Sequence, residues 1–154
     1  MKNTLVIAIF TVMSLSCTAQ NGSNRKLIES FITKIDSTKG DISISFFREN
    51  NFLYLSDEYE ASVDKTDVDS MYSIVIKRVY NSLQCENDLE ILTLEESQIE
   101  NGYSEILHIP EDYDNEIYVL YCKEDILLHF LIRNDKIFSF ITMRKGRTRI
   151  FMTF

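Results

Sequence analysis

The spacing of hydrophobic residues predicts helices in the first half of the chain and strands in the second. An apolar stripe recurs every three or four residues over about Asn24–Thr38, which is typical of an amphipathic helix. Its members include Leu27, Phe31 and Ile35. Ser23 or Asn24 would cap this helix, and Gly40 would end it.

A second helix is predicted to begin near Asp67. Thr66 and Asp69 have the spacing of a capping box at its start. Its apolar face is formed by Val68, Tyr72, Val75, Val79 and Leu83. This face repeats at helical intervals and would pack against the core.

The middle of the chain gives less uniform patterns. Residues 41–47, "DISISFF", alternate apolar and polar positions and predict a half-buried strand. Residues 88–96, "DLEILTLEE", also predict a strand, whereas the segment 52–61 fits either a hairpin strand or a short helix. Apolar residues over 99–107 have helical spacing, although Gly102 disfavours a helix there.

The last third of the chain predicts four strands. Their sequences are "EIYVLYCK", "ILLHFLIRN", "KIFSFITMR" and "RIFMTF", and short polar turns separate them. "ILLHFLI" is apolar on both faces and would be a central strand. The predicted fold class is α+β, with two or three helices packed on one face of a mainly antiparallel sheet that ends in a meander.

The first 22 residues are typical of a targeting segment. Residues 5–15 are apolar or small, and a helix of that length at ~1.5 Å per residue cannot span a ~30 Å hydrocarbon core. The length suits a signal peptide, which predicts a leader and short tether over 1–22 and a single domain over 23–154. Cleavage before Cys17 would give a lipid-anchored protein of the cell envelope, and "SLSC" resembles the lipobox of bacterial lipoproteins. Cleavage after Ala19 would give a soluble periplasmic or secreted domain, and the lipoprotein is favoured.

The order of these segments along the chain resembles that of a known group of domains. An exported leader, a helix ending in glycine, "DISISF", a central helix, "LEILTLEE", "YSEIL" and a terminal meander follow one another. This order is similar to that of the small exported domains of unknown function common in Bacteroidota, over most of 24–146. The resemblance implies an envelope location and one compact α+β domain, and it implies no activity.

The amino-acid composition is typical of a globular domain and disfavours a nucleic-acid-binding protein. The chain is 45% hydrophobic with 10 Phe and 8 Tyr, as in globular domains. It carries 24 acidic and 16 basic side chains, a net charge of −8, and this balance repels phosphate backbones and excludes nucleic acid as a partner. No cofactor motif is present in the sequence.

Catalytic and metal chemistry have little support in the sequence. There are two histidines and no GxSxG motif, and His129 lies among apolar strand residues, where a hydrogen-bonded structural histidine is expected. His108 precedes four acidic residues, namely Glu111, Asp112, Asp114 and Glu116. Carboxylates suit a hard cation, but this segment lacks the spacing of a known calcium loop. No catalytic or metal-ligating residue is assigned, and a small hydrolase or metal-dependent enzyme around His108 and 111–116 is kept as an alternative.

One basic cluster and one cysteine pair complete the candidates. Arg144, Lys145, Arg147 and Arg149 would form an exposed hairpin turn able to contact an acidic partner or lipid phosphates. Cys85 and Cys122 could form a disulfide or stay separate, and separate cysteines are slightly favoured.

These features predict an exported, non-catalytic binding or accessory domain with an envelope protein as its partner. It would touch the membrane only through a lipid on Cys17. A second alternative is a self-associating structural protein of the envelope that pairs through a sheet edge.

Overall fold

The computed structural model describes residues 22–54, 65–83, 88–109 and 116–152. It has four helices among these residues: α1 over 22–37, α2 (Ile44–Glu49), α3 (Lys65–Ser82) and α4 (Leu94–Glu100). No described helix is long and apolar enough to span a bilayer. The α+β class predicted from the sequence is confirmed.

In the part of the chain that the structure describes, seven strands form two sheets. They are β1 (Leu89–Thr93), β2 (Ile106–His108), β3 (Glu116–Cys122), β4 (Asp125–Arg133), β5 (Lys136–Ser139), β6 (Thr142–Lys145) and β7 (Thr148–Phe151). The large sheet is antiparallel in the order β1-β3-β4-β5, so β4 is an interior strand as its apolar sequence predicts. The small sheet has the order β2-β7-β6, with β2 parallel to β7.

The large sheet is the middle layer of three. Helices α1, α2 and α3 pack on one of its faces, where they bury the main hydrophobic core with the side chains of Tyr118, Leu120, Phe130 and Ile132. The small sheet and α4 cover the opposite face, where Leu107 and Phe151 pack against Ile117 and Leu131. The small sheet is therefore fixed to the domain through one face, and no described residue covers its other face.

Helix α1 ends where the sequence predicts. Gly40 has φ +68°, and its N–H donates to the carbonyl of Ile35 at 2.9 Å. A Cβ at this position would lie 2.9 Å from the Cβ of Tyr80 on α3, so glycine allows both the turn and the close helix contact. The predicted capping by Ser23 or Asn24 is wrong, because the helix already includes residue 22.

Residues 41–47 are helical rather than extended, so the predicted strand is wrong. The Ser43 hydroxyl caps α2 by accepting from the N–H of Phe46. Burial then follows a helical interval, because Ile44 and Phe47 enter the core while Ile42 and Phe46 lie at its margin. This segment supplies one helix more than the sequence analysis expects.

The segment 52–61 is described only as far as residue 54. Leu53 forms an isolated parallel bridge with Ile137 of β5, and the backbone of Tyr54 donates to the Ile137 carbonyl at 2.9 Å. The chain here therefore extends the edge of the large sheet and does not form a hairpin with 41–47. Helix α3 begins at Lys65, two residues before the predicted start near Asp67, so Thr66 lies inside the helix and the predicted capping box with Asp69 is wrong.

The segment 88–107 changes structure twice. Strand β1 stops at Thr93, whose side chain and backbone form a capping box with Glu96 at the start of α4. Helix α4 ends at Glu100, and the chain reaches β2 through a loop that contains Gly102 at φ +62°. The helical spacing over 99–107 therefore does not give a helix beyond Glu100.

The predicted third strand of the meander is divided between the two sheets. Strand β5 ends at the buried Ser139, whose hydroxyl bonds to the carbonyls of Ile141 and Met152 at 3.2 and 2.6 Å. These bonds stabilise the crossing of the chain from the large sheet to β6 of the small sheet. The meander is antiparallel within each sheet, as predicted.

Candidate functional site

The outer face of the small sheet, which no described residue covers, combines exposed apolar side chains with exposed basic ones. Strand register places six side chains on this outer face. They are those of Ile106, His108, Met143, Lys145, Thr148 and Ile150. Ile106 is 59% exposed and Met143 is 53% exposed, whereas most large apolar side chains of the described residues are buried.

The basic cluster predicted from the sequence lies at one end of this outer face. Arg144, Lys145 and Arg147 are exposed in and beside the β6–β7 turn, as a hairpin predicts. No described carboxylate pairs with Lys145 or Arg147, and the guanidinium Nε of Arg144 lies 3.9 Å from Glu105. Lys145 on the outer face and Arg147 in the turn beside it add positive charge to exposed apolar side chains. Arg144 is the register partner of Arg149 and lies on the inner side of the sheet.

Arg149 has a different role from the other three basic residues. It lies on the inner side of the small sheet, where its Nε and Nη2 donate to the two Glu105 carboxylate oxygens at 2.7 and 3.0 Å. Its Nη1 also donates to the hydroxyl of Thr142 at 3.2 Å. The prediction that all four basic side chains form one partner-contacting cluster is therefore corrected for Arg149, which is engaged within the fold.

Glu105 connects Arg149 to a buried pair of residues. The Tyr103 hydroxyl donates to Glu105 at 3.3 Å and lies 3.0 Å from Nε2 of His129. His129 is 1% exposed and Tyr103 is 7% exposed, and their rings are 5.6 Å apart. We call Tyr103, Glu105, His129 and Arg149 the buried polar cluster, and it joins β4 of the large sheet to β7 of the small sheet.

The electrostatics of the buried polar cluster follow from burial and charge. Burial, together with the positive charge of Arg149, lowers the pKa of His129 to about 4, so the imidazole is neutral at pH 7. The hydrogen bond from Arg149 lowers the pKa of Glu105, which keeps this carboxylate ionised. Burial raises the pKa of the Tyr103 hydroxyl. The cluster therefore contains one ion pair and two neutral buried groups.

The prediction that His129 is a hydrogen-bonded structural residue agrees with this geometry. Its Nε2 is engaged by the hydroxyl of Tyr103, and its side chain is closed off from solvent. A general base must reach a proton on its substrate, which a fully covered imidazole cannot do in this conformation.

Other polar contacts close the sandwich around α1 and α4. Asn24 donates to Glu116 at 2.9 Å, and the Tyr118 hydroxyl donates to the same carboxylate at 2.9 Å. Arg25 of α1 forms an ion pair with Glu96 of α4, and Ser97 hydrogen-bonds to the Tyr121 hydroxyl. Burial raises the pKa of Glu96, but the bonds from Thr93 and the Arg25 charge outweigh it, so the pKa is lowered.

The second candidate region, around His108, is described in part. His108 is exposed on β2, and Glu116 is engaged by Asn24 and Tyr118. Glu111, Asp112 and Asp114 lie outside the described residues. Within the described residues, no three His, Cys, Asp or Glu side chains gather as metal ligands would.

Cys122, at the end of β3, is disulfide-bonded. The expectation of a separate thiol at this position is therefore wrong. Cys85 and Cys17 both lie outside the described residues, so the pairing of Cys85 with Cys122 stays a prediction.

Comparison with known proteins gives no further assignment. No protein-family model, curated protein or solved structure matches the chain. The resemblance to exported Bacteroidota domains stays a prediction, and the function must be argued from the geometry of this chain alone.

Proposed function

We propose that this protein is an exported binding or accessory domain of the cell envelope, and that it works by contact rather than catalysis. The outer face is its contact surface. The observation that carries this proposal is the joint exposure of Ile106 and Met143 beside Lys145 and Arg147, which pair with no described carboxylate. Ile106 on β2 and Met143 on β6 share the outer face, with Thr148 and Ile150 of β7 between them. Exposed apolar side chains that share one face are typical of interaction surfaces.

Charge indicates the chemistry of the partner. The chain carries a net charge of −8, yet the β6–β7 turn concentrates positive charge at Arg144, Lys145 and Arg147. A turn of this kind attracts a negatively charged partner while the rest of the domain repels it, which favours one docking orientation. An acidic protein segment that also covers Ile106 and Met143 fits the outer face best.

The inner side of the small sheet supports this role. The Glu105–Arg149 ion pair and the Ser139 bonds fix the small sheet against the large one, so its outer face is preorganised. Binding to a rigid surface loses less conformational entropy than binding to a mobile one.

The envelope location rests on the leader sequence. We propose that Cys17 is lipidated and that residues 18–21 connect it to α1, with cleavage after Ala19 as the alternative. Diacylation would supply the two chains that stable anchoring requires. Intact mass and N-terminal mapping of the protein from its own cells separate the two products. An N-terminus at Gln20 would contradict the anchored form.

Charge reversal tests the contact surface. We expect Lys145→Glu with Arg147→Glu to reduce the amount of co-purifying partner at least tenfold. The control is Lys26→Glu with Lys123→Glu, which changes the net charge equally at exposed positions elsewhere. Equal loss in both variants, or no loss in either, would contradict the proposal. Self-association predicts instead that the partner recovered is a second copy, and sedimentation at several concentrations would detect it.

A further inference from the structure

A pocket of about 270 Å³ lies between α3, β4 and the start of β6. It exists because β5 pairs only with Leu131–Arg133, so no described strand lies beside the earlier part of β4 on that side. The chain leaves the large sheet after Ser139 and passes beside this gap on its way to the small sheet. The pocket is separate from the outer face.

The floor and the rim of the pocket differ in chemistry. The floor is apolar, with Val79 from α3, Leu128 from β4 and the buried Phe140. The rim is polar and is formed by Arg78, Ser82, Thr142 and Arg149. A site with an apolar floor and a few convergent polar groups is the usual form of a small-molecule pocket.

Within the described residues, the rim carries one positive charge without a carboxylate partner. Arg78 is exposed, and no described carboxylate pairs with it. Arg149 has five N–H donors, of which three are used by Glu105 and Thr142, so two remain for a ligand. Glu105 neutralises Arg149, and the charge of Arg78 is left to attract an anion.

We propose that this pocket binds a small free organic anion with a short aliphatic tail. Its carboxylate or phosphate would bond to Arg78 and to the free donors of Arg149, and its tail would cover Val79, Leu128 and Phe140. The volume lies just below the usual range of ~300–1,000 Å³ for ligand pockets, which favours a short tail over a complete lipid. This inference does not depend on the proposed function.

Titration calorimetry with octanoate tests the proposal on the protein isolated from its own cells. We expect saturable binding, and we expect Arg78→Gln to weaken it about tenfold, as the loss of a charge-assisted hydrogen bond would. Lys26→Gln, which removes an equal charge at an exposed position on α1, should bind octanoate as the unaltered protein does. Octanol, which has the tail without the charge, should bind far more weakly.

Three results would overturn the proposal. They are the absence of saturable octanoate binding, equal affinity for octanol, and an Arg78→Gln variant that binds like the unaltered protein. A further arm uses anionic phosphatidylglycerol vesicles to separate a free anion from a lipid headgroup. Binding that depends on Arg78 but occurs only with vesicles would contradict a free ligand.

Discussion

The two faces of the large sheet are buried by different kinds of contact. On the helix side, the ring of Phe31 lies 4.6 Å from that of Phe47 and 5.0 Å from that of Phe140, in a core of apolar side chains. On the opposite side, His129 and Ser97 are buried and hydrogen-bonded among apolar neighbours.

This difference indicates that one face mainly stabilises the domain and that the other mainly orients the small sheet. Apolar burial is non-directional and roughly proportional to area, so the helix side supplies much of the favourable free energy of folding. Each group in the buried polar cluster has a partner at a defined distance, and an unsatisfied partner would be costly. We infer that the helix side stabilises the domain and that the polar side positions the small sheet and its outer face.

The largest expected effect is the loss of a ring from the helix side. Phe31→Ala should lower the free energy of unfolding by about 3–5 kcal/mol, since it removes a fully buried side chain and leaves a cavity. Urea denaturation measures it, and Phe31→Leu should cost less. A loss below about 1 kcal/mol for Phe31→Ala would show that the helix side is not the main core.

Protonation of His129 at low pH should give the next largest loss of unfolding free energy. Its pKa is about 4 in the folded protein and near 6.5 when unfolded, so the unfolded chain binds more protons between these values. Its stabilising contribution is complete above pH 6.5 and is lost as the pH falls towards 4. Glu105, Arg149 and Tyr103 are the charged and titratable groups that face the ring.

The His129→Gln variant isolates that contribution. Glutamine keeps a hydrogen-bonding partner for Tyr103 and does not titrate. Between pH 7 and pH 4, the unaltered protein should lose about 2–3 kcal/mol more unfolding free energy than this variant. Parallel pH profiles of the two proteins in urea denaturation would contradict the account.

Breaking the Glu105–Arg149 ion pair should lower the free energy of unfolding by a smaller amount. It should loosen the small sheet, which carries the outer face, more than the rest of the domain. Arg149→Met leaves Glu105 without its two strongest donors and should cost about 1–3 kcal/mol, because both side chains retain some exposure. Hydrogen exchange should become faster in β2, β6 and β7 before it does in α1. The double variant Arg149→Met with Glu105→Gln should recover part of the loss. Uniform acceleration throughout the domain would contradict a positioning role.

The predicted helices and C-terminal strands agree with the structure where a long periodic pattern places all its apolar side chains on the face that is buried. The segment 41–47 was misleading because a short alternating pattern also places Ile44 and Phe47 at helical spacing, and Ser43 can cap a helix. Likewise, the Thr93–Glu96 capping box is visible in the sequence but was included in a strand. In both segments, a side chain that caps a helix start favours a helix over the predicted strand.

Only the exposed residues of the candidate site can be predicted from the sequence. The turn at Arg144, Lys145 and Arg147 follows from hairpin pattern and charge. The engagement of Arg149 required Glu105, which is 44 positions away in sequence and reaches it through the parallel pairing of β2 with β7. Nothing in a single sequence signals such a pairing between distant strands.

The smallest expected effect on stability comes from the outer face itself. Met143→Ser and Arg147→Gln should each change the free energy of unfolding by less than about 0.5 kcal/mol, because these side chains are exposed. Thermal denaturation measures both variants. A large loss would show that the outer face contributes to the fold rather than to binding.

Photo-crosslinking in intact cells tests the central claim most directly. A photoreactive residue replaces Met143 on the outer face in one protein and Ile74, which is 56% exposed on α3, in a control. The account predicts a defined adduct from position 143 that Lys145→Glu with Arg147→Glu abolishes, and none of that mass from position 74. The same adduct from both positions, or none from position 143, would contradict the assignment of the outer face as the contact surface.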